Sequence, residues 1–211
     1  RATSFSLMGA GFHGAKGLNP LITREMMHLY VVPRMIYGLE AQVLNRQQID
    51  KLEDFFRSTI RQLQSLPQHV AKEAIYFLMG ILPLEAILHM RTLKLFQKIA
   101  SDEESLLYQV ALRQYAVKEK SSHSWFVYVG DLCSFYDLPL PHQILQEQPS
   151  DETWKDLVKC RVTEKWEKTM RTSASDKTTL RYMNLTDASL QNPHIIWKAA
   201  LGDQRALDRA V

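Results

Sequence analysis

The chain has 211 residues, 45% hydrophobic and 23% charged, with a formal net charge of +3. That length is enough to bury a real core, the balance of apolar and charged residues is ordinary for a globular chain, and two cysteines without a CxxC pair support neither a disulfide framework nor a zinc knuckle. The charge is too small to mark the whole surface as a polyanion binder, so any basic face must be local.

Taken in order, residues 1–11 read as the tail of a helix, and 11–20, GFHGAKGLNP, as a loop rich in Gly, Asn and Pro. The opening at Arg1, with no charged stretch followed by an apolar one, reads as an internal fragment without a signal peptide. Pro20 then starts a segment to Leu44 in which only Arg24, Glu25, Arg34 and Glu40 carry charge. A helix apolar on every face is either a membrane span or the buried centre of a helical domain. The charges and Pro33 argue against a span, which needs about 20 predominantly apolar residues. The expectation is a buried central helix, kinked or split where the Pro33 ring would meet the carbonyl of residue 29.

Asn45, with Gln48 as its capping-box partner, starts a helix to about Ser65 with an apolar stripe of Ile49, Leu52, Phe56, Ile60 and Leu63. Pro67 closes it. Residues 70–79 read as a short helix stopped by Gly80, and Pro83 opens the next, reaching about Ala100. Ser101, with Glu104 three residues on, predicts a cap for a helix to about Val117. A further helix starts at Ser121 or Ser122 and runs through WFVYVGDLCSFY. The run DLPLP, Asp137 to Pro141, breaks it and marks a boundary or hinge, followed by a turn or two of helix at 142–147. Ser150 caps a long helix whose first turn carries Asp151 and Glu152, where the positive end of the macrodipole favours acid. Beyond Thr172 a loop is predicted, with a short extended piece at LRYMN, and the final DQRALDRAV reads as a helix. The fold class predicted is all-α, a multi-helix domain around the buried, Pro-kinked segment, with regions at 1–137 and 138–211.

Few residues carry recognisable chemistry. Residues 9–14, GAGFHG, match GxGxxG literally, but no strand precedes them and no helix follows directly, so they read as a turn between helices. His28 and His89 each sit on an apolar helix without a second ligand at metal spacing, and no HExxH occurs. Cys133 and Cys160 form no CxxC pair and read as reduced thiols. Adjacent aspartates that would hold paired Mg²⁺ ions are missing, as are a GxSxG elbow and a P-loop. Asn184-Leu185-Thr186 fits the glycosylation acceptor pattern, with nothing else to suggest secretion.

The basic residues say more. Arg91, Lys94 and Lys98 share one face of the helix after Pro83, and Arg57 and Arg61 lie one turn apart opposite the Ile49–Leu63 stripe. Lys155, Lys159, Arg161, Lys165, Lys168 and Arg171 crowd the long C-terminal helix beside Trp154 and Trp166, diluted by Asp156, Glu164 and Glu167. Each group reads either as a solvated face or as a set of phosphate contacts. The tryptophans fit core spacing better than base-stacking platforms, which need exposed rings.

Three blocks, RATSFSLMGAGFHGAKGLNP, YVVPRMIYGLEAQVL and IDKLEDFFRSTIRQLQSLP, resemble the region after the palm in LINE-type, jockey-like non-LTR retrotransposon reverse transcriptases. The sharpest match is PRMIYGLE, Pro33–Glu40; AIYFLMGILPLEAILHMRTLKLF, SWFVYVGDLCSFYDLP and LRYMN resemble the C-terminal extension of the same proteins. The resemblance implies a thumb over 1–137 and a connector over 138–211 of an RNA-directed DNA polymerase. Its catalytic aspartates and Mg²⁺ would lie upstream in the palm, and a Cys/His knuckle downstream. It implies no catalytic residue, metal or cofactor in this segment, and an intracellular setting in nucleus or cytoplasm, without a membrane. The partners implied are an RNA or RNA–DNA template-primer and the palm of the same polypeptide. Arg57, Arg61, Arg91, Lys94 and Lys98 are the candidate nucleic-acid contacts. The other reading is a domesticated helical interaction or scaffold domain with no nucleic-acid role.

Overall fold

A computed structural model describes residue 6 and residues 20–118, 122–181, 183 and 188–199. Expectations for residues 1–5, 7–19 and 203–211, and part of the LRYMN expectation, lie outside the described residues. The fold is all-α, with 72% helix and no strand among the described residues. It divides into two compact units. One takes the described residues of Arg1–Ile36, Gln47–Leu84 and Trp166–Val211, the other those of Tyr37–Arg46 and Glu85–Lys165.

The first unit opens with α1 (Pro20–Met26), a π-helical turn (Met27–Val31) and α2 (Val32–Met35). In the π turn the Val32 N–H reaches back five residues to the Met27 carbonyl. The wide turn falls directly before Pro33, where the missing N–H and the ring would break the α-helical ladder. The expectation of one helix to Leu44, buried on every side, is corrected on two counts. The helix stops at Met35, and Gly38, at φ 76°, turns the chain into a 3₁₀ turn at Leu39–Ala41. Burial is one-sided: Met27, Val31, Val32 and Ile36 are buried, whereas Ile22 is 50%, Leu29 65% and Tyr30 47% exposed. An apolar side chain need not be covered, and here the outer face of the segment is left open.

The centre of this unit lies instead between Glu73 and Leu84, where every residue except Leu78 is buried. There α3 (Arg46–Leu63) presents Ile49, Phe56, Ile60 and Leu63 as its buried stripe. The Gln64 amide donates to the Ile75 carbonyl at 3.0 Å, tying the end of α3 to α4 (Lys72–Met79). Gly80 ends α4 in the left-handed region, at φ 60°. The Arg24 guanidinium donates to the Gly80 carbonyl at 3.0 Å and to the Gln191 carbonyl at 2.8 Å, so one side chain satisfies two carbonyls far apart in sequence. The His194 N–H donates to the Leu78 carbonyl at 3.0 Å just before α10 (Ile195–Ala199), whose Trp197 is buried.

The second unit holds most of α5 (Leu84–Ala100), then α6 (Leu106–Val117), α7 (Trp125–Phe135), α8 (Pro141–Glu147) and α9 (Asp151–Ser175) as far as Lys165. Its interior is aromatic. Phe96 meets Tyr115 edge-on at 6.0 Å, Tyr115 meets Phe126 at 5.8 Å, and His89 meets Tyr136 at 5.7 Å, geometries that the ring quadrupole favours. Trp154 Nε1 donates to the Leu93 carbonyl at 3.1 Å, and Trp125 Nε1 to the Glu40 carbonyl at 2.9 Å.

The boundary expected at 137/138 is not where the chain divides, because it lies inside this unit. Asp137 takes a positive φ of 52°, the Leu138 N–H caps the Cys133 carbonyl at 2.9 Å, and Leu138 is buried, so DLPLP is a tight packed corner rather than a linker. The cap expected at Ser101 is also displaced. The Ser101 N–H still bonds to the Gln97 carbonyl as the last turn of α5, and Ser105 caps α6 by accepting from the Tyr108 N–H at 3.1 Å.

Candidate nucleic-acid interface

The candidate cations occupy both units. Arg57 and Arg61 stand on α3 in the first; Arg91, Lys94 and Lys98 stand on α5 in the second. They differ in what already holds them. Arg57 pairs with Asp54 one turn earlier. Arg61 donates to the Leu66 carbonyl at 3.3 Å, binding the chain just past its own helix. Both therefore have a structural task within α3 and the turn after it.

On α5, Lys94 lies 3.8 Å from Asp151, an exposed and loose pair. Arg91 is half-buried and Lys98 exposed, and neither has an ion pair or hydrogen bond among the described residues. Their face is fixed by what the opposite face buries: Leu93, Phe96, Gln97 and Ala100 turn inward, which leaves positions 91, 94 and 98 outward. The Gln97 amide donates to the Pro149 carbonyl at 3.1 Å, and with the Trp154–Leu93 bond this seats the start of α9 beside α5. Lys155 and Lys159 on α9 are exposed and likewise without a partner among the described residues. The second unit thus carries free cations on two neighbouring helices.

Three more of the α9 cluster are committed, while Lys168 is exposed and has no side-chain partner among the described residues. Arg161 pairs with Glu164 at 3.8 Å, and Lys165 lies 4.9 Å from the centre of the Phe135 ring. In the first unit Arg171 donates to the Ala188 carbonyl and stacks over Phe77. Trp154 is fully buried and Trp166 half-buried, so α9 offers no open ring for base stacking. Sequence spacing could group these cations by face. It could not separate a free Arg91 from an engaged Arg57, because the difference lies in neighbours such as Asp54.

The other titratable groups whose pKa is shifted lie in buried or half-buried surroundings. Burial, and then the charge of Arg46, lowers His89 to about 4, and its Nδ1 lies 2.7 Å from the Tyr136 hydroxyl. His28 is lowered by burial and by Arg24, against an opposing pull from Glu25. Burial pushes the Cys133 thiol up to about 12, while Cys160 is exposed. No cluster of three His, Cys, Asp or Glu side chains able to hold a metal occurs among the described residues. Nor is any single helix among them long and apolar enough to cross a membrane. The GxGxxG match at 9–14 lies outside the described residues.

Compared with protein-family profiles, with curated proteins and with solved structures, the chain matches none.

Proposed function

We propose that this chain is a non-catalytic nucleic-acid-binding segment, the thumb and connector of a retrotransposon RNA-directed DNA polymerase, which holds a template-primer duplex by its backbone. The carrying observation is the set of cations on α5 and α9 that have no ion pair or hydrogen bond among the described residues, Arg91, Lys98, Lys155 and Lys159. The PRMIYGLE resemblance supplies the context. Cations on a helix surface read charge and spacing along phosphates, and an A-form duplex is held by shape, 2′-hydroxyl and phosphate rather than by a base code. Polymer chemistry would belong to a palm with its own aspartates and Mg²⁺, so the purified chain extends no primer.

The test is a titration of labelled RNA–DNA duplex at several salt concentrations. Binding should be weak, with Kd of about 10⁻⁴–10⁻⁶ M near physiological salt, and log K should fall linearly with log salt as counterions are released. No binding at low salt ends this reading. The second reading, a helical interaction domain, is favoured by one observation, the open apolar face of α6.

A further inference from the structure

The face of α5 that carries Arg91, Lys94 and Lys98 receives a carboxylate from α9. Asp151, the first residue of α9, brings its Oδ2 to 3.8 Å from Lys94 Nζ. The chain on either side of Asp151 is tied to α5, by the Gln97 amide on the Pro149 carbonyl and by Trp154 Nε1 on the Leu93 carbonyl. Falling positions on α5, 97, 94 and 93, meet rising positions 149, 151 and 154, so the two helices run antiparallel where they meet. Arg91, about one turn back from Lys94, and Lys155, about one turn on from Asp151, therefore continue the same face. One acid stands between Arg91, Lys94 and Lys98 on one helix and Lys155 and Lys159 on the other.

The pair is open to water, with the Lys94 side chain 45% and the Asp151 side chain 60% exposed. An exposed pair of that kind adds little to stability. Nor does the helix depend on Asp151 for an acid at its positive end, because Glu152 stands in the same first turn, exposed and without a partner among the described residues. The carboxylate matters more for binding. A phosphate approaching this face must displace Asp151 from Lys94 or bear its repulsion, and like charges brought together oppose association. Building on the nucleic-acid reading of this face, we propose that Asp151 is an affinity-setting residue. It occupies Lys94 and keeps that cation from the nucleic-acid backbone, so the chain holds phosphates more weakly than its cations alone would allow.

The test titrates the full chain with labelled RNA–DNA duplex between about 0.05 and 0.2 M salt. Asp151→Asn should tighten binding about threefold or more at about 0.1 M salt, and steepen log K against log salt by about 0.9, one further phosphate contact. Asp151→Ser, which also suits a helix start, should act alike. Because Lys94 makes the new contact, Asp151→Asn added to Lys94→Gln should leave the slope where Lys94→Gln alone puts it. Asp131→Asn, at an exposed residue of α7 without an ion pair among the described residues, changes the net charge equally and should leave the slope unchanged. Damage to α9 would loosen binding, so a gain in affinity is not produced by misfolding. A wild-type chain that binds no duplex at low salt would overturn the nucleic-acid reading and this role with it. A wild type that binds would overturn the role of Asp151 alone if neither Asp151 variant binds more tightly and with a steeper slope, if the steepening survives Lys94→Gln, or if Asp131→Asn matches it.

Discussion

The Glu73 carboxylate, fully buried at the start of α4, receives a hydrogen bond from Lys177 Nζ at 2.6 Å and another from the Ser173 hydroxyl at 2.7 Å. Burial alone would raise its pKa; the bonds from Lys177 and Ser173 outweigh burial and hold it below its ordinary value of 4.5. A carboxylate lowered on folding contributes stability that is complete above its unfolded pKa and lost as pH falls through the folded one. The unfolding midpoint should therefore drop as pH falls below about 4.5, and Glu73→Gln should flatten that drop. Lys177→Met leaves the buried charge with one donor fewer. A broken buried pair costs about 3–5 kcal/mol, and the partial exposure of Lys177 screens this to about 1–3 kcal/mol at pH 7, measurable by urea unfolding.

His89 gives a second pH window with the same sign. Its folded pKa of about 4 lies below its ordinary 6.5, so between those values the unfolded chain binds the extra proton and stability falls with acidity. At about 1.4 kcal/mol per unit the full effect is about 3 kcal/mol, an upper bound. Thermal unfolding from pH 7 to 4.5 should show the loss. His89→Gln, which keeps a polar partner for the Tyr136 hydroxyl, should remove most of the slope.

Neighbours in the PRMIYGLE block should respond oppositely to truncation. Ile36 is completely buried, whereas Tyr37 is 82% exposed. Ile36→Ala loses transfer energy and leaves a cavity, about 2–5 kcal/mol. Tyr37→Ala should stay within about 0.5 kcal/mol. Chemical denaturation of both variants checks this, and equal losses would contradict the burial pattern.

Two glycines at positive φ separate backbone strain from collision. A Cβ on Gly38 would meet nothing within 4 Å, so Gly38→Ala costs only the left-handed conformation, about 1–2 kcal/mol. A Cβ on Gly80 would lie 2.1 Å from the Asn192 backbone carbon and 2.4 Å from the Pro193 nitrogen. Gly80→Ala must also push the 192–193 backbone away and should cost at least about 2 kcal/mol more than Gly38→Ala.

Much of the helix pattern was legible because local chemistry carries it. Of the stripe Ile49, Leu52, Phe56, Ile60 and Leu63, all but the half-buried Leu52 are buried as the spacing predicts, and Gly80 and Ser150 stand at helix ends as the sequence predicts. The errors arose where tertiary partners decide. The run from Pro20 to Leu44 is apolar on all sides, but nothing local says which side will be covered, and Tyr30 and Tyr37 are open. Ser101 has the side chain of a cap, yet its N–H closes the last turn of α5 on the Gln97 carbonyl and Ser105 takes the capping role. At the candidate interface, spacing grouped the cations by face, while their engagement depends on Asp54, Leu66 and Asp151, which spacing does not weigh.

That difference in engagement yields the most direct test of the proposed interface. Arg57 and Arg61 already serve Asp54 and the Leu66 carbonyl, so a phosphate must compete for them, and removing them disturbs the end of α3. Arg91 and Lys98 have no partner to give up among the described residues. Each genuine phosphate contact contributes about 0.9 to the slope of log K against log salt. Arg91→Ala with Lys98→Ala should therefore lower the slope by about 2, weaken binding to unrelated duplex sequences equally, and leave the urea midpoint near that of the wild type. Arg57→Ala with Arg61→Ala should lower the urea midpoint and change the slope by less than about 1. The paired titration separates the alternatives. A smaller slope for the α3 variant would move the contact surface to the first unit. A slope unchanged in both would leave Lys155 and Lys159 on α9 as the cations to remove next, and a slope unchanged there as well would take these cations out of the binding surface.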